Sequence, residues 1–261
     1  MTLLDSLLDI AGPDWVRTDG PARELYGQDA LGRVSRPDVV VLPADTREIS
    51  AIARLCHDTD TPLVPRGAGT GYSGGAVPVR GGVLLSLERL NRILDIDDAS
   101  LLAVVQPCVI TGVLQAEVER RGLFYPPDPA SLDRSAIGGN VAECAGGPRA
   151  FKYGTTKRYV LGLEAVLPTG DVIRTGSKTI KNVVGYDLTQ LLVGSEGTLA
   201  VITEIVLRLI PKPRARATVR ATFRDVGAAV DGVLRLLHGG AMPAALELVD
   251  DVCLDAVLAG D

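Results

Sequence analysis

The fold of this chain is decided by Pro65-Arg66-Gly67-Ala68-Gly69-Thr70-Gly71-Tyr72-Ser73-Gly74-Gly75, a loop that follows a short apolar strand. Seven of the 29 glycines lie between positions 67 and 82. Because glycine admits positive φ and has no Cβ, a ligand can approach such a backbone closely. Successive N–H groups then form an anion-binding nest, for which a pyrophosphate is the natural guest. Arg66 either adds positive charge there or, as a lone arginine, has a structural role.

Two familiar motifs overlap this loop. Gly69-x-Gly71-x-x-Gly74 matches the dinucleotide fingerprint, and Gly71-x-Ser73-x-Gly75 matches the nucleophile elbow of serine hydrolases. Both motifs require a helix directly after the glycines, whereas Ala76-Val77-Pro78-Val79 would break one at once. We therefore expect an anion held by loop N–H groups without a helix end; a glycine-rich surface turn with no ligand is the alternative.

Composition limits the class of protein. The chain has 261 residues, of which 46% are hydrophobic and 23% charged, so it is globular, with one large domain or two small ones. The net charge of −5 and the lack of a long basic run argue against nucleic acid as a partner. No segment has the apolar length of a membrane span, and the first residues lack the pattern of a signal peptide, so we expect a cytoplasmic protein.

The cysteines and histidines offer no metal-binding pattern. Cys56, Cys108, Cys144 and Cys253 lie far apart without a C-x-x-C pair, which predicts four buried thiols and no disulfide framework. The two histidines form neither H-x-H nor H-E-x-x-H, so no metal site is predicted.

Hydrophobic patterns predict an α+β fold. In the first half, strands alternate with helices; the predicted strands are 38–42, 63–64, 83–87 and 101–105, and the helices are the one capped by Asp45 or Thr46 and 111–121, ended by Gly122. In the second half, we predict a hairpin at 163–174, a short helix at 186–193 and a long strand at 199–210. These elements suggest a mixed sheet followed by an antiparallel sheet.

The last residues look like the start of a second domain. A strand at 217–223, a helix at 226–237 and a further helix starting at Leu248 cannot close a layer around a core of their own. We therefore divide the chain into an N-terminal segment 1–35, a main domain 36–213 and an incomplete domain 214–261. Apolar surface exposed by this last segment predicts self-association.

A second glycine-rich region begins with Tyr125-Pro126-Pro127-Asp128-Pro129-Ala130-Ser131 and continues with Ser135-Ala136-Ile137-Gly138-Gly139-Asn140-Val141-Ala142-Glu143-Cys144-Ala145-Gly146-Gly147. Stiff prolines beside small residues form a wall against which a flat ring can lie. Further motifs are Lys152-Tyr153-Gly154-Thr155-Thr156, Lys181-Asn182-Val183-Val184-Gly185-Tyr186-Asp187-Leu188 and Gly194-Ser195-Glu196-Gly197-Thr198.

Together these motifs, in this order, resemble the FAD-linked oxidase family, whose flavin domain is of the vanillyl-alcohol oxidase / p-cresol methylhydroxylase (PCMH) type. Within that family they are similar to the glycolate oxidase flavin subunit and to D-lactate dehydrogenases. The resemblance covers about two-thirds of the chain, from Arg36 to Pro213. It implies a PCMH-type FAD-binding domain of two subdomains, followed by the start of a cap domain.

The resemblance also implies which residues bind FAD. For the pyrophosphate these are Pro65, Arg66, Gly67, Ala68, Gly69, Thr70, Gly71, Ser73 and Gly74. For the flavin and ribityl portion they are Pro127, Asp128, Ser131, Gly138, Gly139, Asn140 and Ala142, with Gly146, Gly147, Tyr153 and Gly154 nearby, and for the adenosine end Glu196, Gly197, Val201 and Ile202. Some relatives tether FAD through a histidine of the first loop; this loop has none, so FAD is expected to be noncovalent.

By the same resemblance, the activity is hydride transfer from Cα of a D-2-hydroxy acid, glycolate or D-lactate, to flavin N5. No catalytic residue can be assigned, because in this family the substrate groups lie in the cap domain. The expected partners are the small acid, a partner subunit or electron acceptor, and further copies of the chain. The alternative is a truncated FAD-binding module that needs a cap-bearing partner chain for turnover.

Overall fold

The structure is a computed structural model that describes residues 2–259. In chain order its elements are α1 (Leu3–Ala11), β1 (Val16–Arg17), α2 (Gly20–Tyr26), β2 (Val39–Val41), α3 (Thr46–Asp58), β3 (Leu63–Arg66), β4 (Val83–Ser86), β5 (Ile93–Asp97), β6 (Leu102–Val105), α4 (Thr111–Arg120), β7 (Leu123–Phe124), α5 (Ile137–Glu143), α6 (Ala150–Tyr153), β8 (Val160–Val166), β9 (Val172–Gly176), α7 (Leu188–Leu192), β10 (Val201–Arg208), β11 (Ile210–Pro211), α8 (Val226–His238) and α9 (Asp251–Leu258).

The first sheet is mixed and has the strand order β1-β2-β4-β3. The strands β2, β4 and β3 are parallel, and β1 pairs with β2 in the antiparallel sense. All three valines of β2 are buried, as expected for a parallel strand that is covered on both faces. The helix α3 begins at the predicted cap, where Asp45 accepts hydrogen bonds from two backbone N–H groups, and it packs Ile49 and Ile52 into this core together with Leu7 of α1.

The second sheet is antiparallel, with the order β5-β6-β10-β8-β9. The predicted hairpin is present as β8 and β9, and its turn places Gly170 at a φ of 83°. Side chains from β6, β8 and β10 share a core with Leu114 of α4, Ile137 of α5 and Leu192 of α7. The expected succession of a mixed sheet and an antiparallel sheet is thus confirmed.

The two sheets belong to one body. Val166 of β8 and Val201 of β10 pack into the core of the first sheet. Glu164 of β8 accepts a hydrogen bond of 2.8 Å from Thr46 Oγ1 at the start of α3. Loops at this junction face each other across a cleft.

Three expectations about local structure were wrong. No strand forms at 217–223, and the last described helix begins at Asp251 rather than at Leu248. The chain pairs with β7 only at β11, and no side chain between 212 and 259 is buried, so residues 217–223 lack the packing that would stabilise a strand. Cys56 and Cys108 are buried, but Cys144 is only partly buried and Cys253 is exposed.

No helix in the described residues has the length and apolarity needed to cross a membrane.

Candidate functional site

A cavity of about 360 Å³ lies where the glycine-rich loop after β3 faces α5 and the start of β10. Its wall comes mainly from three stretches of chain, within 65–76, 129–145 and 196–202. Such a volume is in the range of small-molecule sites. The two glycine-rich regions of the sequence are therefore brought to the same cleft.

The loop keeps its backbone donors free. Among residues 2–259, no protein oxygen accepts a hydrogen bond from the N–H groups of Ala68, Gly69, Thr70 and Gly71. Gly69 and Gly74 have φ angles of 68° and 90°, a region that favours glycine. As expected, no helix follows the loop. Unpaired backbone donors along a cavity wall are the chemistry of an anion-binding nest.

Two carboxylates also line this cavity. Ser73 Oγ donates to Glu143 Oε1 at 2.7 Å, which ties the loop to the end of α5. Glu196 has a φ of 55°, and its N–H donates to the carbonyl of Ala142 at 2.9 Å. Because a carboxylate accepts hydrogen bonds and repels anions, these side chains suit a hydroxyl-bearing part of a ligand rather than a phosphate.

Arg66 is the one arginine in the cavity wall among the described residues. Its Nη1 donates to the carbonyl of Gln28 at 2.7 Å, so one end of the guanidinium is engaged on the outer side of the loop. Burial lowers the pKa of this guanidinium, and the charges of Tyr26, Asp29 and Glu88 oppose that shift. Arg66 thus has a structural role, in which it binds the Gln28 carbonyl, and it also lines the cavity.

The helix α5, which the sequence analysis did not predict, begins at this cavity. Its N–H groups at Ile137 and Gly138 donate to the carbonyls of Val109 and Pro107 at 2.9 and 2.7 Å. A Cβ on Gly138 would lie 2.5 Å from the Cβ of Pro107, whereas a Cβ on Gly139 would meet no atom within 4 Å. Gly138 therefore allows α5 to pack closely, and Gly139 leaves space for a ligand. A helix end does border the cavity, which differs from our expectation.

The proline segment, residues 125–131, is held by a polar network that lies outside the cavity wall. Gln115 Nε2 donates to the carbonyl of Pro127 at 2.7 Å. Asp128 accepts from the N–H of Arg149 at 3.1 Å and forms an ion pair with its Nε at 3.1 Å. Burial raises the pKa of the Asp128 carboxyl, and the Arg149 contacts oppose this shift. Pro129 and Ser131, at the end of the segment, face the cavity.

The structure brings together 16 of the predicted site residues and separates eight from them. Those in the cavity wall are Pro65, Arg66, Gly67, Ala68, Gly69, Thr70, Gly71, Ser131, Gly138, Gly139, Asn140, Ala142, Glu196, Gly197, Val201 and Ile202. Those outside it are Ser73, Gly74, Pro127, Asp128, Gly146, Gly147, Tyr153 and Gly154. Of the latter, Ser73 and Gly74 belong to the loop itself, Pro127 and Asp128 belong to the proline segment, and Gly147 lies against the Asp128 backbone.

Sequence reasoning missed eleven wall residues: Tyr72, Gly75, Ala76, Leu87, Pro107, Pro129, Ala130, Ala136, Glu143, Ala145 and Ala200. Most are neighbours of predicted positions, so widening each motif by one or two residues would have included them. Leu87 and Pro107 carry no such signal, because they follow β4 and β6 and reach the cleft only through the sheets.

The wall fits FAD in its chemistry. Free N–H groups suit the pyrophosphate, small residues leave room along the loop and α5, and Pro129 and Ala130 add apolar surface. A Cβ on Gly139 would project into the space that a ligand would use. In the described part of the chain, no group of three or more His, Cys, Asp and Glu side chains is arranged to hold a metal ion.

Comparison with known proteins agrees with this chemistry. Residues 37–176 match a family model described as an FAD binding domain. The chain is 45% identical to the glycolate oxidase subunit GlcD of Bacillus subtilis over 96% of its own length and 53% of that protein. It is 39% identical to a D-lactate dehydrogenase of Anaerostipes hadrus over 88% of the chain and 48% of the relative. The chain thus spans about half the length of these curated relatives.

Solved structures share the fold. An alkyldihydroxyacetonephosphate synthase superposes with a TM-score of 0.79 and 25% identity, covering 93% of this chain and 46% of that one. p-Cresol methylhydroxylase superposes with a TM-score of 0.70 and 22% identity, covering 82% and 44%. The latter likeness shows the fold alone, and it is the PCMH-type fold expected from the motifs.

Proposed function

The chain belongs to the FAD-binding domain family, and from this premise we propose that it is the flavin portion of an oxidoreductase acting on a D-2-hydroxy acid, with glycolate and D-lactate as candidate substrates. When bound, FAD supplies a hydride acceptor at flavin N5. The observation that carries the proposal is a cavity with four unpaired backbone donors in a chain 45% identical to a glycolate oxidase subunit.

In this proposal, each part of the cleft has a separate task. The loop from Pro65 to Gly74 binds the pyrophosphate through main-chain N–H groups. Ser131, Gly138, Gly139, Asn140 and Ala142 lie along the flavin and ribityl chain, and Glu196, Gly197, Val201 and Ile202 line the adenosine end. Pro127 and Asp128 lie beside the flavin in this proposal, and Gly146, Gly147, Tyr153 and Gly154 are near them.

We further propose that the FAD-binding domain covers residues 36–213 and that 214–261 belongs to a cap domain. Support comes from burial, because no described side chain after position 209 is buried. The helix α8 exposes about half of Val226, Val230 and Leu234. An apolar helix face in this state lacks the packing that normally stabilises a short helix.

We also propose that the protein is cytoplasmic and works with a partner subunit or an electron acceptor. The word subunit in the name of the Bacillus relative supports the partner subunit. FAD is held noncovalently in this scheme. The residues that line the cavity include no histidine that could form a tether. Acid precipitation should therefore release all flavin into the supernatant, and yellow colour retained in the pellet would contradict this.

The activity is tested by anaerobic bleaching. The purified chain reconstituted with FAD should be yellow, and glycolate or D-lactate should reduce the absorbance near 450 nm, with L-lactate as the control. The carboxylate and hydroxyl of the acid have no assigned binding residues among the described ones, so turnover is expected to be slow.

A second candidate function is an FAD-binding module that needs a cap-bearing chain for turnover. It is favoured by the described cavity wall, whose single cation, Arg66, already donates to the Gln28 carbonyl, so the wall offers little to bind the carboxylate of an acid. Yellow protein that no hydroxy acid bleaches would select the module. Protein that stays colourless after reconstitution would contradict both functions.

A further inference from the structure

The N-terminal turn 28–34 and the glycine-rich loop hold each other through two arginines that reach in opposite directions. Arg66 Nη1, at the start of the loop, donates to the carbonyl of Gln28 in the turn at 2.7 Å. Arg33 Nη1, in the turn, donates to the carbonyl of Tyr72 in the loop at 3.1 Å. A backbone bridge between Gln28 and Val34 closes the turn. The loop is thus attached at two points, one on each side of its free N–H groups.

Asp29 orients this turn. Its Oδ1 accepts the N–H groups of Leu31 and Arg33 at 2.9 and 3.0 Å. Its side chain is 1% exposed, and its Oδ2 lies 4.0 Å from Arg33 Nη1 without a hydrogen-bond partner among residues 2–259. A buried carboxylate is costly unless cations lie nearby. The guanidinium groups of Arg33 and Arg66 are those cations, and Asp29 partly opposes the lowering of the Arg66 pKa.

The loop is shaped to accept both arginines. A Cβ on Gly74 would lie 3.0 Å from Arg33 Nη1, and a Cβ on Gly69 would overlap the Arg66 guanidinium. Both glycines also have positive φ. The guanidinium groups of Arg66 and Arg33 therefore occupy the space that side chains at positions 69 and 74 would need. The loop keeps the N–H groups of 68–71 unpaired within the described chain in this same conformation.

We propose that Arg33 and Asp29 are positioning residues for FAD, which set the geometry of the pyrophosphate loop without contacting the cofactor. This inference rests on the proposed function of the loop. Preorganised donors bind an anion more tightly because the loop loses less conformational freedom on binding. In this proposal, the N-terminal segment contributes to FAD binding by packing against the pyrophosphate loop.

The test compares Arg33→Ala, Arg33→Lys and Asp29→Asn with the matched control Arg36→Ala, whose arginine forms an exposed ion pair with Glu24. The FAD dissociation constant is measured by fluorescence titration, and the backbone order parameters of 67–74 are measured without FAD by ¹⁵N NMR relaxation. Arg33→Ala should weaken FAD binding about five- to tenfold and lower the order parameters of the loop, since a hydrogen bond to a charged group is lost. Arg33→Lys should restore most of both, because an ammonium can donate to Tyr72.

The two readouts separate this inference from the proposed function. If the natural chain binds no FAD but Arg33→Ala still lowers the order parameters of the loop, the proposed function fails and the positioning role stands for the loop. If Arg33→Ala leaves the loop order parameters unchanged, or if Arg36→Ala lowers them equally, the positioning role is wrong. A loss in Arg33→Ala that Arg33→Lys does not restore would also overturn it.

Discussion

The two glycine-rich regions of this chain have similar compositions and opposite physical uses. In the loop 67–75, Gly69 and Gly74 have positive φ, and the N–H groups of 68–71 have no partner in the described part of the chain. In the region 138–154, the N–H of Gly138 donates to Pro107, and a Cβ on Gly147 would overlap the carbonyl of Asp128. Glycine exposes donors in the first region and permits close packing in the second. Only the first use points directly to a ligand.

The largest effect is expected from Gly147→Ala, which would show that the second region is structural. The new methyl group would overlap the Asp128 backbone, so either the proline segment or the 144–149 segment must move. We expect a loss of about 3 kcal/mol in the free energy of unfolding, measured by urea denaturation. The matched control is Gly146→Ala, whose Cβ would make ordinary contacts at 3.6 Å or more. Equal stability of the two variants would contradict this view.

The next largest effect is expected from Gly69→Val in the first region. Valine at a φ of 68° is strained, and its side chain would displace the Arg66 guanidinium. We expect at least about a hundredfold loss of FAD affinity with a nearly native far-UV circular dichroism spectrum. Gly240→Val, with a φ of 83° and open space around it, introduces similar backbone strain away from the cavity and should retain FAD. Unchanged affinity in Gly69→Val would exclude the loop as the pyrophosphate site.

A smaller effect is expected at two neighbouring glycines of α5, of which Gly138 permits close packing and Gly139 leaves space in the cavity. Gly139→Ala should weaken FAD binding about tenfold by filling the cavity, while stability is equal or higher, because alanine is the better helix former. Gly138→Ala should instead lower stability, because its methyl group would press on Pro107. Titration with FAD and thermal melting of both variants check this. If both variants lost stability alike, the distinction between neighbouring glycines would be wrong.

The smallest effect is a pH dependence at Asp128. Burial raises the pKa of this carboxyl above 3.8, so the folded state binds more protons than the unfolded state just above that pH. Its contribution to stability is therefore present at low pH and declines as pH rises through the raised pKa. Relative to wild type, Asp128→Asn should gain under about 1 kcal/mol between pH 4 and pH 6.5 in urea denaturation. A relative loss of stability over that range would contradict the sign.

Local signals in the sequence predicted much of the fold. The cap at Asp45 with its apolar stripe marked α3, and the turn around Gly170 marked the hairpin of β8 and β9. The helix α5 was missed because two adjacent glycines disfavour a helix, and tertiary contacts stabilise it: Gly138 packs against Pro107, and Ile137 and Val141 enter the core of the second sheet. The strand at 217–223 was wrong because strand propensity has no effect without a neighbour.

The sequence likewise predicted only part of the candidate site. Clustered glycines marked the loop, because no other residue type lets a backbone expose so many donors at positive φ. Leu87 and Pro107 come to the cavity from strand ends that are distant in the sequence from the glycine motifs. The brace between Arg33 and Tyr72 joins residues 39 positions apart, and no spacing rule connects them.

By itself, the sequence determined that the chain has an α+β fold, and it predicted a glycine-rich loop whose main chain could receive a phosphate-bearing ligand, since both follow from local preferences of the backbone. Only the tertiary structure decided which glycines face the cavity and which permit packing. It alone placed α5 at the cleft and the N-terminal turn behind the loop. The physical reason is that a missing Cβ has the same local effect everywhere, and its consequence depends on which atoms the rest of the fold brings next to it.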